Sequence, residues 1–95
     1  MRKNTATVLQ ALAKGRGCHQ CEAIHTDGNI VKSYNTIVAI PDVDDPNHWL
    51  VTEHGAHSVT TTVQTNGLQC GLEDMGKRVS RVPQSDIDTM GYRHP

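Results

Sequence analysis

The apolar positions near the start of the chain repeat at helical spacing. Val8, Leu9 and Leu12 fall on one face of a helix, and the positions between them are small or polar. Gly15 follows at the point where a left-handed residue commonly ends a helix. The pattern therefore predicts a helix over Thr5–Lys14. A helix this short is marginal by itself, so its apolar face is expected to pack on the rest of the fold.

The pattern then changes to one that is typical of β-structure. Cys21–His25 is predicted as a first strand and Asp27-Gly28 as a tight turn, because these residue types favour turns with positive φ. Ile30–Ile40 carries β-branched and apolar residues on both parities. This predicts one long strand that is covered on both faces or contains a bulge. The positions expected to face the core are Ile30, Tyr34, Val38 and Ile40.

Beyond that strand the pattern predicts a loop, two short strands and a second helix. Residues 42–47 form an acidic loop, and Trp49–Thr52 and His57–Val59 are predicted as strands. Three apolar residues spaced four and three apart predict a helix over Thr61–Met75, although each interior glycine weakens it by about 1 kcal/mol. These three residues are Leu68, Leu72 and Met75.

Together the elements predict an α+β fold in a single small domain. It consists of an N-terminal helix, an antiparallel sheet of three to four strands and a C-terminal helix. We expect the compact domain to cover residues 1–76, with Gly76 as the stop of the second helix. The remaining residues 77–95 are polar and are expected to form a C-terminal tail.

Composition limits what this domain can bury. The chain has 95 residues, of which 36% are hydrophobic and 3% aromatic, so its core must be small and aliphatic. Domains of this kind often gain stability from a partner, from self-association or from a metal. The formal net charge of −1 lacks the basic excess that is typical of a dedicated nucleic-acid-binding protein.

The distribution of apolar residues also bears on the compartment. No apolar run approaches the roughly 20 residues that span a bilayer, and the segment after Met1 does not resemble a secretory signal. We therefore expect a cytoplasmic protein with no membrane partner. In that compartment the thiols of Cys18, Cys21 and Cys70 are expected to be reduced or to bind a metal.

Four segments occur in an order that resembles a known group of proteins. They are Thr5-x-x-Val8-Leu9-x-Ala11, Asp27-Gly28, Ser33–Ala39 and Ser58–Thr61. In this order they resemble small phage-encoded proteins, mainly from phages of actinobacteria, that form a domain-of-unknown-function family. The resemblance covers about residues 4–72, and His57 stands where family members tend to carry an aromatic residue. It implies a phage origin and the cytoplasm of an infected host cell, and it transfers no catalytic residue.

The pair Cys18-x₂-Cys21 is the first candidate for chemistry. Two thiolates at this spacing can bind one zinc ion from a tight turn, and His54-x₂-His57 has the right ligand types to complete the site. His25 and Cys70 are the other candidate ligands. The alternative is two small thiols packed beside the first strand. We expect no cofactor, and the structural zinc is the alternative that this motif leaves open. A thioredoxin-like redox site is disfavoured because the motif follows a helix and enters a strand.

The histidines are also candidates for acid–base chemistry. His54 and His57 could act near the acidic loop in a small hydrolase, and the alternative is a solvated hairpin tip. The chain lacks the G-x-S-x-G motif and both glycine-rich nucleotide-binding motifs. We therefore expect a protein that is not an enzyme.

Two charged clusters are candidates for interaction. Asp42, Asp44 and Asp45 lie in the acidic loop, where they could imitate the phosphates of a nucleic acid or simply be solvated. The basic cluster consists of Lys77, Arg78 and Arg81. Such residues can contact phosphate, although nucleic acid is the less expected partner.

The leading hypothesis is a non-enzymatic phage accessory protein that binds a host or phage protein. It could inhibit a host process or form a homo-oligomer. The first alternative is a zinc-stabilised nucleic-acid-binding module that uses Cys18, Cys21 and the basic cluster. The second is the hydrolase around His54 and His57.

Overall fold

The sheet lies between two helices on one face and a third helix on the other. A computed structural model describes residues 3–19, 23–53 and 59–91. The helices in these ranges are α1 (Lys3–Ala13), α2 (Val59–Asp74) and α3 (Gln84–Gly91). The strands are β1 (His25–Thr26), β2 (Val31–Ser33), β3 (Thr36–Pro41), β4 (His48–Thr52) and β5 (Arg78–Val82).

The five described strands form one mixed sheet in the order β1-β2-β3-β4-β5. The first three pairings are antiparallel, and β4 pairs with β5 in parallel. A parallel pair requires a crossover between its strands, and α2 supplies it. The predicted α+β class is confirmed. The sheet has more strands than expected, and one of its pairings is parallel.

The predicted long strand over Ile30–Ile40 is wrong, because the chain turns back in its middle. Ser33 pairs with Thr36, which leaves Tyr34 and Asn35 as a two-residue hairpin loop. Tyr34 adopts a left-handed backbone with φ of 53°. Its side chain was expected to face the core and is 62% exposed. The loop contains Asn35, a residue type that favours turns, but neither glycine nor proline, and the β-branched residues on both sides favoured one continuous strand.

A bulge in the second half of that segment was one of the predicted alternatives, and it is present. Val31 pairs with Ala39 and Lys32 pairs with Ile37, so Val38 is an extra residue in β3. The extra residue shifts the alternation of side chains. Ile37 and Ile40 therefore pack in the same cluster although they are three positions apart, a spacing that places side chains on opposite faces of a regular strand.

Each face of the sheet has its own apolar cluster. On the first face, α1 and α2 pack on the sheet through residues that include Val8, Leu9, Leu68 and Leu72. On the second face, Ile87 of α3 packs with Ile40 and Leu50. The central strand β3 is covered on both sides, as the mixed parity of its apolar residues indicated.

Residues 77–91, expected to belong to a polar tail, instead contribute β5 and α3. The Arg78 amide donates to the Asn47 carbonyl at 2.8 Å, and the Glu53 amide donates to the Val82 carbonyl at the same distance. Backbone hydrogen bonds of this kind do not depend on apolar side chains, so the polar composition of the segment concealed the strand. The buried Ile87 anchors the helix that follows.

The predicted helices are confirmed with shifted starts. Both α1 and α2 begin two residues earlier than expected, at Lys3 and Val59. Of the predicted first strand Cys21–His25, only His25 lies in β1, and β1 continues to Thr26. Cys21 lies outside the described residues. Of the predicted return strand His57–Val59, Val59 is the first residue of α2. His57 lies outside the described residues. Among the described helices, none is long and apolar enough to cross a membrane.

Candidate functional site

The four residues of the predicted zinc site are mostly outside the described ranges. Cys21, His54 and His57 belong to the segments that are not described. Cys18 is half-buried, and its backbone exchanges hydrogen bonds of 2.7 and 2.9 Å with that of Thr26. Within the described residues, no three His, Cys, Asp or Glu side chains are grouped so that they could hold a metal. The zinc hypothesis therefore stays a prediction.

An open cleft of about 570 Å³ lies beside Cys18. The imidazole rings of His19 and His25 lie side by side there, with their centroids 4.3 Å apart and their planes tilted by 37°. Asp27 also lines the cleft, but its carboxylate accepts the amide hydrogens of Asn29 and Ile30. Burial acts to raise the pKa of Asp27, and these hydrogen bonds outweigh burial and lower it. Asp27 thus stabilises the predicted turn.

Two carboxylates of the acidic loop accept hydrogen bonds from the backbone of the loop itself. Asp42 Oδ1 accepts the Asp44 amide at 3.0 Å, and Asp45 Oδ1 accepts the Asn47 amide at 3.0 Å. Both contacts are local turns of the kind that aspartate favours. The carboxylates of Asp42 and Asp45, which were predicted to be available to a partner, are therefore partly occupied by hydrogen bonds within the loop.

Two residues of the predicted basic cluster lie directly against this acidic loop. The Arg78 guanidinium forms an ion pair with Asp45. Lys77 Nζ donates to Asn47 Oδ1 at 3.1 Å. The parallel pairing of β4 and β5 brings these groups together, since His48 lies opposite Arg78 in the register. The acidic loop together with Lys77 and Arg78 thus forms one mixed-charge corner.

Arg81, the third residue of the predicted basic cluster, lies on the face of the sheet where α2 packs. Its Nε donates to the Thr52 carbonyl at 2.9 Å, and one terminal nitrogen donates to Gln69 Oε1 at 2.9 Å. Further bonds of 3.2 Å reach Thr65 and Asn66. Burial lowers the pKa of Arg81, and the charge of Glu53 opposes this effect. Arg81 is thus an internal link between the sheet and α2.

A hydrogen-bonded chain of three side chains crosses the mixed-charge corner. Asp42 Oδ2 lies 3.1 Å from His48 Nδ1, and His48 Nε2 lies 2.7 Å from Ser80 Oγ. The side chains of His48 and Asp42 are 22% and 25% exposed. The Asp44 amide, then the His48 hydrogen bond, and more weakly the charge of Arg78, lower the pKa of Asp42.

Sequence reasoning named Asp42 and missed His48 and Ser80. These two residues are 32 positions apart, and no motif joins them. The parallel register places Leu50 opposite Ser80, so His48 and Ser80 become neighbours only in the sheet. The contact between His48 and Ser80 could have been predicted only if the parallel pairing of β4 with β5 had been predicted first.

The hairpin tip between β2 and β3 is a separate surface feature. Tyr34 there is 62% exposed and occupies a left-handed backbone position. Beside it lies a shallow groove of about 290 Å³ bounded by Asn35, Ile37, Asp88 and Gly91. The tip therefore presents an aromatic ring next to a concave surface.

Comparison with known proteins gives no further guidance. No protein-family model matches the chain. No curated protein and no solved structure matches it significantly either. The resemblance to small phage proteins therefore stays a prediction, and the contacts described above have to support any functional proposal.

Proposed function

We propose that this chain is a phage accessory protein that binds a host or phage protein through the hairpin tip at Tyr34. The observation that carries the proposal is an aromatic ring, 62% exposed, on a backbone with φ of 53°. A non-glycine residue in this conformation costs on the order of 1 kcal/mol, and such strain concentrates at functional positions. If the partner is a host protein, binding would cover the surface that this host protein uses for its own contacts, and this would inhibit a host process.

Tyrosine suits this role for physical reasons. It supplies a large rigid contact area at a low entropy cost, and it is enriched among the residues that dominate binding energy. The neighbouring groove, which includes Ile37 and Asp88, offers a concave apolar and acidic surface beside the ring. Tyr34 does little for the fold, because most of its side chain is in solvent.

The test separates binding from folding by replacing Tyr34 with asparagine. Asparagine tolerates the left-handed backbone better than tyrosine, so Tyr34→Asn is expected to keep or raise stability while the ring is lost. Tagged protein is used to capture partners from a nuclease-treated host lysate, and the partner is then purified for calorimetry. We expect Tyr34→Asn to weaken that complex by about 30-fold, as for a residue that dominates an interface.

The matched control is Val43→Ala in the acidic loop. Val43 is also a large exposed apolar residue, 52% exposed, and it lies between β3 and β4 rather than at the hairpin tip. Its replacement is expected to leave affinity unchanged. Equal binding by Tyr34→Asn and the unmodified protein would contradict the proposal. A parallel capture without nuclease tests the alternative: recovery of nucleic acid there, with no protein retained after nuclease treatment, would favour the zinc-stabilised module, and metal analysis would follow.

A further inference from the structure

The hydrogen bonds of His48 define where its proton lies. The lowered pKa of Asp42 keeps its carboxylate ionised at neutral pH, so this group can only accept. His48 Nδ1 therefore donates across the 3.1 Å contact. A neutral imidazole carries one ring proton, so Nε2 has a free electron pair. In this neutral form of His48, Ser80 Oγ, which lies 2.7 Å from Nε2, is the donor. The serine hydroxyl thus points its proton at a base.

The three groups are held in place by backbone contacts. The Asp42 amide donates to the His48 carbonyl at 2.8 Å, and the His48 amide donates to the Asp45 carbonyl at 3.0 Å. The second oxygen of Asp42 is fixed by the Asp44 amide. Ser80 is positioned by the β4–β5 register. Such support reduces the number of geometries that the side chains can adopt.

We propose that Ser80 is the nucleophile of an acyl-transfer site for carboxylic esters, with His48 as its general base and Asp42 as the residue that positions His48. This inference goes beyond the binding proposed for the hairpin tip and uses other residues. A nucleophile in contact with a base that a third group orients is the arrangement that activates a serine. The order of the three residues along the chain is immaterial, since geometry defines such a site.

Ser80 lies on β5, the outermost of the described strands, and is partly exposed. The Arg78 amide and the Val82 carbonyl both bond towards β4. Backbone groups in a parallel strand alternate in direction, so the amides of Val79 and Arg81 face the outer edge of β5. An amide one residue after the nucleophile is a group that can stabilise the oxyanion of an acyl-transfer reaction.

The reaction can be written with its atoms in balance. Ser80 Oγ attacks the ester carbonyl carbon, and His48 Nε2 takes the hydroxyl proton. The bond from carbon to the alcohol oxygen then breaks, and His48 returns the proton to the leaving alkoxide. Water attacks the acyl-serine with His48 again as base, which releases the carboxylic acid and restores the Ser80 hydroxyl.

The test is labelling of the full chain with an alkyl fluorophosphonate. Ser80 Oγ forms the bond to phosphorus, the bond to fluorine breaks, and the serine proton passes to His48. Peptide mass spectrometry measures the rate at each serine. We expect Ser80 to react at least about 100-fold faster than the exposed Ser85 in the same molecule, because base catalysis contributes on the order of 10²–10⁴. Hydrolysis of p-nitrophenyl acetate should be lost in Ser80→Ala.

Variants then separate the roles of the other two residues. His48→Gln is expected to reduce labelling of Ser80 to the rate of Ser85. Asp42→Asn should reduce it by at least about 10-fold and abolish the low-field proton resonance of His48 Nδ1. The charge-matched control Asp86→Asn on α3 should change neither.

The comparison of two serines in the unmodified protein does not depend on whether any variant folds. Labelling of Ser80 no faster than that of Ser85 would overturn the inference. The same conclusion would follow if a folded His48→Gln protein labelled at the original rate. Either result would leave the hydrogen-bonded chain with a purely structural role, and binding at Tyr34 would be unaffected.

Discussion

At the scale of single residues, several polar side chains act as internal links. Gln64 on α2 is 3% exposed, and it accepts the Ser33 hydroxyl while donating to the Ala23 carbonyl at 3.0 Å. Arg81 makes comparable contacts to α2 from the sheet. These polar contacts supplement the few apolar residues of α2 in holding the helix on the sheet.

Within the described residues, Thr5 is a buried polar residue that lacks such a contact. Thr5 on α1 is 1% exposed, and among the described residues its hydroxyl has no hydrogen-bond partner. Thr5→Val replaces the hydroxyl with a methyl group of similar size and keeps the β-branch. We expect the free energy of unfolding to rise by about 1 kcal/mol, because an unpaired buried polar group is removed. Urea denaturation measures the change, and the melting temperature should rise by about 4–8 °C.

The control for this prediction is Thr7→Val on the same helix. The Thr7 hydroxyl donates to the Lys3 carbonyl at 3.0 Å, so removing it loses a hydrogen bond. No gain in stability is expected there. A loss of stability in Thr5→Val would mean that its hydroxyl has a partner after all.

At the scale of elements, the close approach of α1 and α2 explains why α2 contains Gly71, although a glycine inside a helix lowers its stability. A β-carbon added at Gly71 would overlap Leu9 Cδ1 and would lie 2.9 Å from Leu9 Cδ2. The missing side chain therefore lets the two helices pack at short distance. The cost of glycine in helix propensity, about 1 kcal/mol, is the smaller of the two effects.

The sign of a substitution at Gly71 tests this packing. Gly71→Ala should improve helix propensity and yet reduce stability by about 1–3 kcal/mol, because the added methyl group meets a packed side chain. Thermal and urea unfolding measure the change. Cys70→Ala, at the exposed neighbouring position, is expected to have little effect.

A double variant identifies the cause of that loss. In a Leu9→Ala background the overlap is relieved, so Gly71→Ala should cost less than in the unmodified protein. An increase in stability from Gly71→Ala alone would show that the helices are not in contact at this position.

At the scale of the whole molecule, two clusters on opposite faces share one sheet. The only tryptophan of the chain, Trp49, belongs to the cluster under α1 and α2. Ile87 belongs to the cluster under α3, on the other face. Strand β4 carries residues of both clusters, since Trp49 and Leu50 are adjacent in it. Unfolding of either face should therefore disrupt the other.

Trp49 fluorescence reports whether residues 77–91 belong to this cooperative unit. Ile87→Ala creates a cavity at a fully buried position and should cost about 2–5 kcal/mol. The unfolding midpoint seen by Trp49 fluorescence is expected to fall together with the midpoint seen by far-UV circular dichroism. The control Ser85→Ala, exposed on α3, should stay within about 0.5 kcal/mol. An unchanged Trp49 midpoint in Ile87→Ala would make α3 an independent appendage.

The sequence by itself determined the features that depend on neighbours along the chain. Helical spacing of apolar residues located α1 and α2, and Asp27-Gly28 located the turn before β2. The apolar residues on both parities of Ile30–Ile40 predicted either coverage on both faces or a bulge, and β3 has both. These signals are local, because burial of one face repeats with the period of the element that carries it.

Only the tertiary structure decided which distant residues meet. Parallel pairing of β4 with β5 converted an apparently polar tail into a strand and brought His48 to Ser80. The hairpin at Tyr34 likewise depends on the pairing of Ser33 with Thr36, because Asn35 alone did not distinguish a turn from a continuous strand. The physical reason is that register and strand order are set by backbone hydrogen bonds and by packing on two faces, and neither leaves a period in the sequence.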